Sequence, residues 1–235
     1  MARMFGAERS SREQFFATSL RPLPLRLRLI PMTAANRPRP VRVLGVDPAA
    51  AGPTGYGVVE SDGRSCRSLH YGALKVADKI RKDCAGAALE AVHSLVCDLL
   101  REFSPDAVAI ESIFSALNVR TALRLAEVRG VVLLAAVQHA VPTYSYAPRL
   151  IKASVAGYGH ADKRQLQAMV RSVLKMAELP EPTDAADALA VALCHLQSEE
   201  FRQRYAIPMP VRDCSTRTLR PARLDPHAPG AAVRS

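Results

Sequence analysis

The chain has few of the features that usually announce a function. Its five cysteines, Cys66, Cys84, Cys97, Cys194 and Cys214, contain no CxxC pair and are odd in number. That pattern argues against a disulfide framework and against a cysteine-type metal site, and it reads as reduced thiols in a cytosolic protein. No apolar run approaches membrane-spanning length, and no stretch near the N-terminus is apolar for long enough to form a signal-peptide core. The chain also lacks the GxxxxGK[ST] phosphate loop and the GxGxxG dinucleotide fingerprint. No internal repeat and no competing Ser/His/Asp arrangement emerges, and His160 and His195 read as structural or surface residues rather than metal ligands.

What is present begins with charge. The formal net charge is +10 over 235 residues, which invites a nucleic-acid reading. Its distribution weakens that inference. Residues 1–42 hold nine Arg against two Glu, and residues 199–235 hold seven Arg against four acids. The interval 43–198 balances 16 basic residues with 16 acidic ones, so the excess lies in the two ends. A neutral core still binds DNA when its charges are segregated, so the total decides nothing. Residues 1–40 are rich in Arg and Pro and read as a disordered basic extension, with Met32 as an alternative start. Residues 199–235 read as a flexible basic tail, leaving 41–198 as the folded domain. The hydrophobic content of 49% is ample for a core of that size.

The pattern within that domain starts from Val41–Glu60. A β-branched run (Val41, Val43, Leu44, Val46) ends on Asp47, a Pro/Gly/Ala turn follows, and Thr54–Glu60 reads as the return strand. Cys66–Val76 is a third antiparallel strand. Asp83–Phe103 is a helix, with Leu89, Val92, Val96, Leu99 and Phe103 at helical spacing and Ser104-Pro105 as its stop. Asp106–Glu111 is a short buried strand that again ends on an acid. A helix from Val119 to His139 carries an apolar stripe wide enough for two partners: a core on one side and a second subunit on the other. Pro142–Ala147 is the fifth strand. Arg149–Ala156, Asp162–Ala177 and Asp184–Gln197 complete the set as helices. The order predicts an α/β fold, a mixed five-stranded sheet with helices on both faces, in the ribonuclease H-like pattern.

Four acids stand out within this pattern. Asp47 and Glu111 end strands, and ionised acids are rarely buried alone, so Asp47 either caps its turn or waits for a cation. Asp184 and Asp187 are three residues apart in PTDAADALAVAL, on one face of the last helix near its start. Asp184 taken alone fits a complement to the helix dipole. Asp187 lies among alanines and Leu189 that predict a buried surround. If the four meet, two carboxylates about 4 Å apart repel by about 4 kcal/mol at an effective dielectric near 20. Such a cluster binds protons or hard divalent cations, and two such cations suit in-line displacement at a phosphodiester.

Four blocks, GVDP…TGYGVVE, AIESIFSALNVRTALRLAEVRGV, YAPRLIKASVAGYGHADKRQLQAMV and DAADALAVA, resemble the RuvC family of Holliday junction resolvases, from about Val43 to Leu196. The resemblance implies a Mg²⁺-dependent endonuclease with two ions per subunit, Mn²⁺ substituting. It implies a homodimer, cytoplasmic in a bacterium, that nicks opposed strands of four-way junction DNA. It also implies a branch-migration helicase complex of the RuvA–RuvB type as a partner, and no membrane. The family's catalytic and metal-holding acids match Asp47, Glu111, Asp184 and Asp187. Its junction-contacting aromatic matches Phe114 and its DNA-binding lysines match Lys152 and Lys163; Asn118, Arg149 and Arg164 join them as expected DNA contacts. The first turn departs from the family, because Ala49-Ala50-Ala51-Gly52-Pro53 lengthens the connection to Thr54.

Plainer readings stand beside these. Phe114 also fits a core position, Asn118 a helix cap, and the four basic residues solvated helix charges. Other functions compete as well. An actin-like ATPase would need a second domain that 235 residues do not accommodate. A non-cleaving junction-binding module would not need all four acids. A ribonuclease H-like nuclease acting on RNA or on other recombination intermediates is the alternative among enzymes.

Overall fold

The computed structural model describes residues 39–49, 52–76, 85–112 and 118–206. The expected N-terminal extension up to residue 38, the alanines 50–51 of the long turn, Phe114, and the tail from residue 207 lie outside them.

The expected three-strand meander forms as β1 (Val41–Asp47), β2 (Thr54–Ser61) and β3 (Cys66–Leu74). Then come α1 (Ala85–Phe103), β4 (Ala107–Glu111), α2 (Val119–Gln138), β5 (Thr143–Tyr146), α3 (Pro148–Ala156), α4 (Lys163–Val173) and α5 (Thr183–Arg204). One five-stranded sheet has the order β3-β2-β1-β4-β5. The meander pairs antiparallel, whereas β1–β4 and β4–β5 are parallel, so the sheet is mixed as its element order requires.

Alternation along the strands divides the core. Leu44, Val46, Val58, Val108 and Ile110 face a layer that includes α1 and α2, while Val43, Val59, Ala109 and Tyr146 pack against α3, α4 and α5. Asp47 and Glu111 continue the second set, since each lies an even number of residues beyond a member of it. Both acids therefore emerge on the α5 face, at the ends of two adjacent parallel strands. That is where an open α/β sheet places its site.

Helix α5 is the element that completes this face. Ala185, Ala186, Ala188, Ala190 and Ala192 are buried, and the strand surface beneath them is cut back to match. A Cβ on Gly45 would lie 2.1 Å from the Ala188 carbonyl oxygen, and one on Gly55 would lie 2.0 Å from that of Asp184. Gly45 pairs with Gly57, and Asp47 pairs with Gly55, so the depression runs across β1 and β2 directly to the acid.

Within the described residues, three boundaries differ from the sequence-based expectation by two residues or more. β3 ends at Leu74 rather than Val76, because its partner strand begins at Thr54, opposite Leu74. α4 ends at Val173 rather than Ala177. The Met176 N–H bonds to the Arg171 carbonyl at 2.9 Å and that of Lys175 to Ser172 at 3.2 Å, with Lys175 at φ 53°, a left-handed helix stop without glycine. α5 runs past Gln197 to Arg204, into the segment 199–235 expected to be a flexible tail. Ion pairs Glu199–Arg202 and Glu200–Arg204, the latter at 3.0 Å, support the added turn at helical spacing.

Candidate active site

Three elements deliver the four acids. β1 ends on Asp47 and β4 on Glu111; α5 carries Asp184 in its first turn and Asp187 one turn later. Parallel pairing of β1 with β4, in register through Val46 and Ile110, places Asp47 and Glu111 side by side. Their carboxyl groups share a hydrogen bond, and the charges of Asp187 and Asp184 also act on Asp47. Asp47 therefore lies within electrostatic reach of the other three acids expected from sequence.

The electrostatic cost is visible in the protonation states. Burial first, and then the neighbouring Glu111, push the Asp47 carboxyl up to about 9. Burial also raises Glu111 and Asp187 above the usual carboxylate range. At neutral pH without a cation, Asp47 thus holds a proton that its hydrogen bond shares with Glu111. Full ionisation of the cluster needs positive charge brought into it. An all-carboxylate set that is short of positive charge is the donor chemistry of a hard divalent cation, so these residues fit one. Among the described residues no three His, Cys, Asp or Glu side chains are already gathered as a metal-holding group. The acids are close enough to feel one another without being drawn into a cage.

Two lysines border the cluster. Lys163 Nζ lies 3.1 Å from Asp187 Oδ2, and Lys152 acts electrostatically on both Glu111 and Asp187. Their expected place on a phosphate-contacting rim is therefore at the edge of the acid cluster itself. Arg149 and Arg164 are exposed on α3 and α4. Asn118 is the N-cap of α2, its Oδ1 accepting the Thr121 N–H at 2.9 Å, which is the plainer of its two readings.

His195 is buried as a structural residue, as expected. Its Nδ1 meets the Tyr146 hydroxyl at 2.7 Å, and burial lowers its pKa to about 4. The Tyr146–His195 pair fastens β5 to α5 behind the site, and the aromatic at the end of β5 was the only sequence hint of it. The glycine depression under α5 is the other feature that sequence reasoning passed over. Its signal was three glycines, Gly45, Gly55 and Gly57, alternating through strands whose helix partner is rich in alanine.

A mixed sheet of this order, with carboxylates at the ends of β1 and β4 facing two more on a helix, defines a ribonuclease H-like nuclease. Comparison with known proteins agrees. A family model described as "Crossover junction endodeoxyribonuclease RuvC" matches residues 43–195. The protein of that name from Caldicellulosiruptor saccharolyticus is 42% identical over 159 residues, covering 67% of this chain and 93% of its own. That from Chloroflexus aggregans is also 42% identical, covering 71% and 99%. Among solved structures, Thermus thermophilus RuvC in complex with a Holliday junction substrate is similar at a TM-score of 0.64 and 35% identity, covering 68% of this chain and 96% of its own. A yeast mitochondrial Holliday junction resolvase, 14% identical with a TM-score of 0.50, shares the fold. The chain belongs to the RuvC family of crossover junction endodeoxyribonucleases.

Proposed function

We propose that this protein resolves four-way DNA junctions by hydrolysing one phosphodiester in each of two opposed strands, as a homodimer. The observation that carries this reading is the gathering of Asp47, Glu111, Asp184 and Asp187 at one sheet edge, with Asp47 protonated at neutral pH in the absence of a cation. These four would hold Mg²⁺, two ions per subunit balancing four carboxylates, and Mn²⁺ suits the same oxygens. Bound there, the cations supply an activated water and neutralise charge at the leaving oxygen. The chain's own part is to orient. β1 and β4 present Asp47 and Glu111 as one pair, and α5 holds Asp184 and Asp187 against them. Lys152 and Lys163 bring positive charge to where a phosphate would approach an acidic cluster. Arg149 and Arg164 extend that charge outward over α3 and α4. The family resemblance gives Phe114 the role of stacking on an exposed junction base, and Asn118 caps the start of α2.

Helix α2 supports the dimer. Val119, Leu123, Leu134 and Val137 are exposed and fall on one face, with Gly130 among them, while Val132, Ala135 and Ala136 face the core. An exposed apolar stripe of this kind suits a second copy of the chain, and paired nicking needs two sites. A RuvA–RuvB-type branch-migration complex in a bacterial cytoplasm is the setting this activity implies. No helix among the described residues is long and apolar enough to cross a membrane.

The test is cleavage of a four-way junction, a linear duplex and a structured RNA, each with and without Mg²⁺. Paired nicks confined to the junction and dependent on the cation are expected. Preference for RNA would move the protein to a different ribonuclease H-like activity, and junction binding without any cleavage would make it a binding module.

A further inference from the structure

The Lys163–Asp187 ion pair lies at the edge of the acid cluster. At 3.1 Å the ammonium occupies Asp187 Oδ2, and it also acts on Glu111. The pair is built asymmetrically. Asp187 leaves 17% of its side chain exposed, on a helix packed tightly to the sheet, whereas the Lys163 side chain is 66% exposed. The backbone of Lys163 is nevertheless well fixed. It follows Asp162, whose carboxylate accepts the Gln165 N–H at 2.8 Å, while Gln165 Oε1 accepts the Asp162 N–H at 3.0 Å. The Tyr158 hydroxyl donates to the same Gln165 oxygen. A rigid corner thus presents a long, largely exposed cation to one carboxylate of the site.

A divalent cation arriving at Asp187 meets this ammonium on the oxygen it needs. Two positive charges within about 4 Å oppose each other, so the cation and the lysine exclude one another there. We propose that Lys163 is a resident counter-ion of the acid cluster: a divalent cation displaces it from Asp187, and the released ammonium turns to the DNA phosphate. The inference rests on the acid cluster holding a cation, as in the proposed function, and adds an exchange to it. It couples the two ligands. The cation frees a phosphate-binding group, and a phosphate that draws Lys163 away clears a cation ligand, so each favours the other by the same factor.

Mn²⁺ binding to the full-length, DNA-free protein, followed by electron paramagnetic resonance of the free ion, tests this directly. Lys163→Met removes the charge and keeps the stem, Lys163→Arg keeps the charge, and Lys152→Met removes a neighbouring charge that makes no ion pair with Asp187. Displacement predicts that Lys163→Met tightens Mn²⁺ binding about five-fold, the size expected of a half-exposed ion pair. Lys163→Arg should stay near wild type, and Lys152→Met should tighten binding distinctly less. An unchanged or weaker affinity for Lys163→Met overturns the proposal, as does an equal gain for Lys152→Met, which would reduce Lys163 to background charge. Lys163→Gln replaces Lys163→Met if the latter does not fold. Absence of Mn²⁺ binding that Asp187→Asn abolishes would instead sink the cation-holding reading beneath it.

Discussion

Gly55 and Asp184 touch through their backbones: a Cβ at Gly55 would lie 2.0 Å from the Asp184 carbonyl oxygen. Because Gly55 also pairs with Asp47 across β1–β2, the residue that admits the start of α5 sits next to the first acid. Backbone cannot swing aside as a side chain can, so Gly55→Ala must push the start of α5 outward and carry Asp184 with it. The expected cost is about 1–3 kcal/mol of stability, the range for overpacking. Junction cleavage should fall by more than the unfolded fraction explains. Thermal melting and single-turnover nicking of one preparation check both, and wild-type values for the two would refute the depression as the device that seats α5.

Exchanging each acid for its amide separates catalysis from capping. Asp47→Asn, Glu111→Gln, Asp184→Asn and Asp187→Asn keep shape while removing a charge and a strong cation ligand. Cleavage should drop by several orders of magnitude for Asp47 and Glu111, as when a cation that generates the nucleophile is lost. Junction binding in EDTA should survive or tighten, since each amide relieves part of the repulsion between the cluster and phosphate. A merely capping Asp184 would lose about 1 kcal/mol of stability at most and little rate. Wild-type cleavage by Asp47→Asn would end the assignment.

The acids were legible in the sequence because each ends or begins an element whose apolar period is strong. Val43–Val46 and Ala107–Ile110 could only be buried strands, and the alanines around Asp187 could only be a packed helix. The end of α4 was not legible. Its left-handed stop falls on Lys175, and sequence reasoning looks for glycine there. The pairing of Lys163 with Asp187 was equally hidden, because a lysine in the first turn of a helix reads as a solvated charge until the partner helix is in place. The depth of the α5 seat depended on glycines of two strands facing each other, a pairing that exists only once β1 and β2 are in register.

The dimer reading has a clean probe in Gly130, where an added Cβ meets no atom within 4 Å. Gly130→Leu replaces a poor helix former with a good one, so a monomer should gain about 0.5–1 kcal/mol. The same side chain stands in the middle of the exposed stripe and would block close approach of a second helix. Sedimentation should shift toward monomer, and paired nicking should give way to single nicks. A variant that remains dimeric at micromolar concentration would place the interface elsewhere.

The response to pH should separate two buried groups of opposite sign. Asp47 has a folded-state pKa near 9 against an ordinary value of 3.8, so in the cation-free protein it binds its proton more tightly folded than unfolded. Its contribution to stability is complete below pH 3.8 and is lost as pH rises toward 9. His195 runs the other way. Burial lowers it from 6.5 to about 4, so its contribution is complete above pH 6.5 and is lost as pH falls toward 4. Between those two values the slopes oppose, and above pH 6.5 only that of Asp47 persists. Melting temperature in EDTA should therefore change little on the acid side of neutrality and fall steadily from pH 6.5 to 9. Asp47→Asn should abolish the alkaline fall and uncover a rise in melting temperature from pH 4 to 6.5, where the His195 slope is no longer opposed. A saturating divalent cation should abolish the alkaline fall too, because an ionised Asp47 is then the bound form and the proton is no longer what stabilises the fold. An alkaline slope that persists in Asp47→Asn would show that another group carries it, and that Asp47 is not the protonated member of the cluster.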